Sequence, residues 1–154
     1  MTLNVTSHAF KDGEEIPKVY SCDGESRSVP LSWSQGPSGT QSYAVICDDP
    51  DAPGGTFSHW AIYNIPADRH QLNESLPTDP LLEGMAQAKN DFGKFGYGPP
   101  CPPEGHGTHR YYFRVYALDA PKLELAQESS VPQVEAAVKQ HVLDMGQIMG
   151  TYVR

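Results

Sequence analysis

The sequence predicts a mainly β protein built from antiparallel strands. Fourteen glycines and fourteen prolines in 154 residues indicate many turns and few long helices. Apolar residues occur in runs of strand length, and turn residues separate these runs. One helical pattern stands near the C-terminus. A chain of this length fits a single domain, residues 1–154, that buries a core.

The first half of the chain contains two predicted strands joined by a turn. Residues 30–34 alternate apolar and polar side chains, which is typical of a half-buried strand. The turn at 35–40 leads into residues 42–47, an almost continuous apolar run that indicates a strand buried on both faces. Strand, turn and strand at this spacing favour an antiparallel pair.

A stiff acidic turn follows. Residues 48–55 contain three aspartates, two prolines and two glycines, and each proline fixes its own φ and pushes the preceding residue toward an extended conformation. Asp49 and Asp51 would therefore be held in a rigid loop at a sheet edge, where natural folds place functional sites. A third strand, at 59–65, begins with His59, whose side chain would share a face with every second residue of that strand.

The second half is less regular until its strongest strand. Residues 67–98 lack periodicity, so we expect mostly ordered loop, with one helical turn at 81–86. Residues 96–107 hold four prolines and four glycines, which excludes regular structure. An aromatic-rich strand is predicted at 109–118, beginning with His109.

The C-terminal part predicts one helix. Ser130 and Gln133 have capping-box spacing, and Pro132 lies in the first turn, where proline is tolerated. Gly150 marks the predicted end of the helix. An apolar stripe of six residues would face the core: Val134, Ala137, Val138, Val142, Met145 and Met149.

Charge and hydropathy argue against several classes of partner. The net charge of −8, from 11 basic and 19 acidic residues, disfavours nucleic acid and anionic membrane surfaces. No apolar stretch approaches the roughly 20 residues of a membrane span, and the N-terminus shows no secretory signal. These features predict a cytoplasmic protein with no nucleic-acid partner and no integral membrane association.

The three cysteines leave two interpretations open. Cys22, Cys47 and Cys101 are odd in number and lack a C-x-x-C spacing, which suits a reduced compartment. One disulfide plus a free thiol is the alternative.

Two histidines occupy matched positions. His59 and His109 each follow a rigid proline- and glycine-containing loop, and each begins an aromatic-rich strand. If the two strands share a sheet, both imidazoles would stand at the same edge. The carboxylates and an aromatic wall would lie nearby: Asp49, Asp51, Tyr97 and Tyr111.

This cluster admits three kinds of site. Two histidines with one or two aspartates suit zinc or iron, but the spacing matches no established short metal motif. A hydrolase would need a nucleophile; there is no G-x-S-x-G elbow, and Cys101 is the only candidate. An anion pocket would use protonated imidazoles and loop N–H groups as donors. We prefer the anion pocket, and the other two alternatives stay open.

Several motifs resemble those of the phosphatidylethanolamine-binding protein family, in the form of its prokaryotic, Raf-kinase-inhibitor-like branch. The two signature motifs are DPDAP at 49–53 and GTHRY at 107–111. The resemblance runs from about Ser7 to Tyr152 and includes further motifs: YSCDG at 20–24, PLSW at 30–33, GGT at 54–56, HW at 59–60, NIPA at 64–67, NDFG at 90–93 and GPPCPP at 98–103.

The resemblance implies a fold and a set of pocket residues. The fold is a large antiparallel sheet packed on a smaller one, with a C-terminal helix and short helical turns. Asp49 and Asp51 would orient the histidines, and Arg110 would pair with an acidic residue outside the pocket. The implied ligand-binding residues are Asp49, Asp51, His59, His109, Tyr111, Pro103 and Tyr97.

The resemblance also implies a function. The pocket would accept a small anion such as phosphate, phosphoethanolamine or a carboxylate, without catalysis and without a metal or cofactor. A homodimer is expected from prokaryotic relatives, and a kinase or protease target is an alternative that the sequence does not name. The terminal helix that gates the pocket in animal members has no clear counterpart here beyond residues 150–154.

Overall fold

The computed structural model describes residues 3–154 and contains two antiparallel sheets and one α-helix. Its elements are β1 (Val5–Thr6), a 3₁₀ turn (Lys18–Tyr20), β2 (Leu31–Trp33), β3 (Ser42–Asp49), β4 (Phe57–Pro66), β5 (Gln71–Leu72), β6 (Leu81–Leu82), β7 (Met85–Gln87), β8 (His109–Leu118), α1 (Val131–Lys139) and β9 (Val142–Tyr152). The large sheet has the order β6-β7-β4-β3-β8-β9, and the small sheet has the order β1-β2-β5. The predicted fold class is confirmed.

Strand β3 lies in the middle of the large sheet, between β4 and β8, and all eight of its residues are buried. Its two faces pack into different cores. Tyr43, Val45 and Cys47 belong to the core between the two sheets, whereas Ala44 and Ile46 pack in the core under α1. Burial on both faces is the reason for the continuous apolar run in this part of the sequence.

Helix α1 begins as predicted and ends earlier. The Ser130 hydroxyl accepts from the Gln133 amide at 3.3 Å, and the Gln133 side chain accepts from the Ser130 amide at 2.8 Å, which completes the capping box. The helix stops at Lys139, and the last three residues of the predicted stripe (Val142, Met145 and Met149) lie in strand β9.

Strand β9 replaces the predicted second half of the helix, and Gly150 is a strand residue rather than a helix stop. β9 pairs with β8 along its length, from His109↔Tyr152 to Leu118↔Val142. A Cβ on Gly150 would lie 2.5 Å from the Ile16 side chain, so this strand needs glycine where the N-terminal segment crosses it. Long-range pairing thus overrides the local helical period.

A β-hairpin replaces the helical turn predicted at 81–86. Strands β6 and β7 pair with Leu82 opposite Met85, and Glu83 and Gly84 both adopt positive φ, at 54° and 87°. Two central residues in this conformation form the tight turn that matches the twist of a hairpin. The prediction of a helical turn is therefore wrong.

The cysteines follow the second of the two interpretations. Cys22 and Cys101 form a disulfide across 79 residues of sequence, and Cys47 is a free, buried thiol whose pKa is raised by burial. Within residues 3–154, no helix has the length and apolar character needed to cross a bilayer.

Candidate anion-binding site

A cavity of about 190 Å³ lies where β3 ends and where β4 and β8 begin. Its polar lining consists of Asp49, His59, His109 and Tyr111. The remaining lining is Ala52, Pro53, Phe57, Phe92, Cys101, Pro102 and Pro103. The structure therefore gathers five of the seven predicted site residues around one hollow: Asp49, His59, Pro103, His109 and Tyr111.

Asp49 and His109 form a buried pair in the cavity. Asp49 is the last residue of β3 and His109 is the first residue of β8, and the two lie side by side because the strands are antiparallel. His109 Nδ1 lies 2.6 Å from Asp49 Oδ2, and both side chains are almost fully buried. The other carboxylate oxygen, Oδ1, accepts from the Asp51 amide at 2.8 Å. Asp49 is thus held at both oxygens and fixes the orientation of the His109 ring.

Tyr111 lines the same wall one strand period after His109. Burial, followed by the Asp49 carboxylate, raises the pKa of its hydroxyl. The hydroxyl therefore stays protonated at neutral pH and is a hydrogen-bond donor.

His59 enters the cavity through a β-bulge. β3 and β4 pair Cys47 with Trp60 and Asp48 with Ser58, so His59 is an extra residue with no partner in the ladder. A bulge of this kind turns a side chain away from its regular face. The His59 ring consequently packs against Tyr111 at 5.2 Å rather than on the opposite face, which strict alternation would predict.

The backbone of the proline-rich loop holds the His59 ring. Its Nδ1 lies 2.8 Å from the Gly98 carbonyl oxygen, and the Gly98 amide donates in turn to the His59 carbonyl at 2.8 Å. Burial lowers the pKa of His59, so the ring is neutral at pH 7. The expectation that an anion pocket would use protonated imidazoles as donors does not hold for His59.

The apolar wall of the cavity comes from two aromatic rings and the proline-rich loop. Phe57 and Phe92 contact each other at 4.7 Å between ring centroids, and Phe57 also contacts His59. On the opposite side the loop is tied to the 3₁₀-turn region by the Cys22–Cys101 disulfide. Phe57 and Phe92 were not among the predicted site residues; the NDFG motif, which contains Phe92, was the available signal.

Two predicted site residues lie outside the cavity. Asp51 binds Arg110 through both carboxylate oxygens, at 2.9 and 2.8 Å, and these contacts lower its pKa to about 2. Arg110 therefore has the structural role expected of it, but Asp51 does not orient a histidine. Tyr97 is buried behind the cavity, where it packs on Trp60 and donates to the Tyr20 carbonyl at 2.9 Å.

His106 is a site neighbour that the sequence analysis missed. Its Nδ1 lies 2.6 Å from His109 Nε2, so the exposed His106 ring shares a hydrogen bond with the second nitrogen of the buried one. Asp49, His109 and His106 thus form a chain that leads from the cavity to the surface. His106 lies between Gly105 and Gly107, outside every predicted strand and helix, so no periodic pattern singled it out.

A metal centre is not supported by this geometry. Among residues 3–154, no group of three or more histidine, cysteine, aspartate or glutamate side chains could hold a metal ion. Asp51, one of the candidate ligands, is committed to Arg110.

Comparisons with known proteins agree with this architecture. The sequence model of the phosphatidylethanolamine-binding protein family matches residues 6–153. The UPF0098 protein of Aquifex aeolicus is 48% identical over 152 residues, which cover 99% of this chain and 89% of the relative. Among solved structures, Escherichia coli YbcL, described as a member of the mammalian family, has a TM-score of 0.93 at 34% identity and covers 100% of this chain and 99% of its own. The homolog CT736 of Chlamydia trachomatis has a TM-score of 0.88 at 37% identity, with 99% and 98% covered. The chain belongs to the phosphatidylethanolamine-binding protein family.

Proposed function

We propose that this protein binds a small phosphate-like anion, such as a phosphate-containing head group, in the cavity at the end of β3 and the starts of β4 and β8. The observation that carries the proposal is the convergence of the Asp49–His109 pair, His59 and Tyr111 on one hollow of about 190 Å³. Such a volume suits a head group and is too small for lipid tails. The apolar rings of Phe57 and Phe92 would contact whatever the anion is esterified to.

The chemistry of the lining supports binding over catalysis. Cys101, the only nucleophile candidate in the sequence, is bonded to Cys22 and has no thiol to ionise. Among the described residues, the cavity lining contains no serine, threonine or free cysteine. An Asp–His pair without a nucleophile positions a ring for hydrogen bonding and does not by itself provide covalent catalysis.

A titration with inorganic phosphate, followed by NMR of the histidine rings, tests the binding proposal. The His59 and His109 signals should shift saturably, whereas His141, an exposed ring paired with Asp119 at 2.9 Å, should stay in place. His109→Ala should weaken binding by about tenfold or more, because it leaves Asp49 buried without its partner. His141→Ala is the matched control and should bind normally.

Two results would overturn the proposal. One is a titration in which neither cavity imidazole responds, or in which His141 responds as strongly. The other is turnover of simple ester or phosphoester substrates that His109→Ala abolishes, since this would show an enzyme.

The remaining predictions of the sequence analysis stand as proposals. We propose a homodimer, and an inhibitory role through protein contacts is kept as the alternative function. A cytoplasmic location is also kept, although a disulfide is more typical of an oxidising compartment.

A further inference from the structure

The hydrogen-bonding capacity of His59 restricts what the cavity accepts. A carbonyl oxygen only accepts, so the bond between His59 Nδ1 and the Gly98 oxygen at 2.8 Å requires the hydrogen to be on Nδ1. Gly98 is itself held by its own amide bond to the His59 carbonyl, so this contact is fixed from both sides. The tautomer of the ring is therefore set by the backbone.

The surroundings of His59 keep this tautomer uncharged. The residue is 3% exposed and packs against the rings of Phe57, Phe92 and Tyr111, at 4.8, 5.7 and 5.2 Å between centroids. Little water reaches the ring to solvate a positive charge.

Charged neighbours do not reverse the effect of burial. Asp49 on β3 and Asp91 in the loop after β7 favour the charged form of His59, and His109 on β8 opposes it. Burial outweighs them and the pKa of His59 is lowered. With its hydrogen on Nδ1, the neutral ring presents a bare lone pair at Nε2.

That lone pair has no partner within the described chain. No side chain or backbone group among residues 3–154 donates to His59 Nε2, although the ring lines the cavity. Among residues 3–154, the fully buried side-chain nitrogen and oxygen atoms without a hydrogen-bond partner are Trp33 Nε1 and His70 Nδ1. His59 Nε2 is not one of them, so this atom is reached from the cavity that its ring lines. A ligand that fills the cavity must therefore bring a donor to this atom, or leave it desolvated.

We propose that the cavity selects phosphomonoesters in their monoanionic form, whose P–OH group donates to His59 Nε2, over phosphodiesters and carboxylates. A monoester has a second pKa of about 6, so about half of its molecules keep one acidic hydrogen at pH 6 and about a tenth keep it at pH 7. A diester has no such hydrogen, and a carboxylate has lost its own. The anionic oxygens accept from the Tyr111 hydroxyl, which remains protonated.

This inference rests on the proposed anion-binding function and names its ligand class. It also separates two sources of the same head group. A membrane phospholipid carries a phosphodiester, whereas a soluble metabolite or a phosphorylated side chain carries a monoester. The ligand of the cavity is thus assigned to the monoester class, which comes from a soluble metabolite or a phosphorylated side chain and not from a membrane phospholipid.

A matched pair of ligands tests the assignment: phosphoethanolamine as the monoester and glycerophosphoethanolamine as the diester, each titrated calorimetrically into the whole chain at pH 6 and pH 8. At pH 6 the monoester should bind at least about tenfold more tightly than the diester, because the diester leaves one hydrogen bond unmade at a buried acceptor. Between pH 6 and pH 8 its apparent affinity should fall about 50-fold, as the monoanion is depleted. The diester does not titrate in this range, so it reports any change in the protein itself.

His59→Gln is the diagnostic variant, because an amide offers a donor as well as an acceptor and should abolish the preference for the monoester. Phe92→Leu is its control, since it alters the apolar wall and should weaken both ligands alike. The ¹⁵N shifts of the His59 ring report directly which nitrogen carries the hydrogen. If His59→Gln does not fold, the ligand ratio and pH profile of the unmodified chain decide the question.

The outcomes separate the two proposals. Equal affinity for monoester and diester, or tighter monoester binding at pH 8, overturns the ligand assignment and leaves anion binding intact. Hydrogen on Nε2 instead of Nδ1 also overturns it. Failure of inorganic phosphate and both esters to move either cavity imidazole overturns the proposed function itself.

Discussion

Replacing Cys22 and Cys101 together by serine should lower the free energy of unfolding by about 4.5 kcal/mol. The disulfide closes a loop with a sequence separation of 79 residues. In the chain-entropy treatment, a crosslink of this span removes about 15 cal/mol/K from the unfolded chain, which gives the stated value at 25 °C. The structure places the crosslink at the rim of the cavity, so the same change should loosen the wall that contains Pro102 and Pro103.

Urea unfolding measured by circular dichroism checks the magnitude. With a slope of about 2 kcal/mol/M, the midpoint should move down by about 2 M when the double variant replaces the oxidised chain. The unmodified chain in reductant should behave like the variant, and reductant should leave the variant unchanged. Thiol titration in urea gives an independent count, with Cys47 alone reactive before reduction.

Two results would refute this reasoning. A midpoint that does not respond to reductant in the unmodified chain means that the crosslink is not formed or constrains nothing. A double variant that is still sensitive to reductant means that the effect arises elsewhere.

Three further changes probe the fold. The stability that neutral His59 contributes above about pH 6.5 should be lost as the pH falls, because its pKa is lowered in the folded protein while the unfolded chain protonates freely. Urea midpoints at pH 7 and pH 5 measure this pH dependence of the unfolding free energy, and His59→Gln should reduce it. Gly150→Ala should cost about 1–3 kcal/mol in urea unfolding because the new Cβ meets Ile16, whereas Gly54→Ala, which meets nothing within 4 Å, should be neutral. Ser130→Ala should cost about 1 kcal/mol of unfolding free energy through loss of the helix cap, whereas Ser130→Thr should keep most of the stability because threonine can also cap. Equal thermal stability of the two variants would contradict the cap assignment.

Strand patterns carried most of the fold prediction. The continuous run in β3, the aromatic strand β8 and the capping box of α1 are local signals, and the structure contains each of them. The resemblance added the arrangement of the two sheets and, among the residues around the cavity, Pro103. The prediction failed after Lys139, where β9 pairs with the distant strand β8. It also failed at 81–86, where a tight turn with two positive φ angles forms a local hairpin whose second strand, β7, pairs with β4.

The side chains around the cavity also divide into those whose position the sequence predicted and those whose position depends on tertiary contacts. Asp49 and His109 were predicted to lie at the same sheet edge. The structure pairs them because β3 and β8 are antiparallel, which brings the end of one strand beside the start of the other. The bulge at His59 was not predictable, because it depends on the register between two strands, and a shift of one residue moves a side chain to the other face. The pairing of Asp51 with Arg110 and the position of Tyr97 behind Trp60 likewise depend on how the loops settle on the sheet.

The sequence by itself determined the mainly β architecture, the rigid acidic turn and the position of the two histidines near strand starts, because period, proline and glycine act over a few residues. Only the tertiary structure decided that β9 is a strand, that Cys22 is bonded to Cys101, and that His59 is a neutral acceptor in the cavity. Each of these depends on contacts between groups far apart in sequence or on burial, and a local sequence pattern records neither.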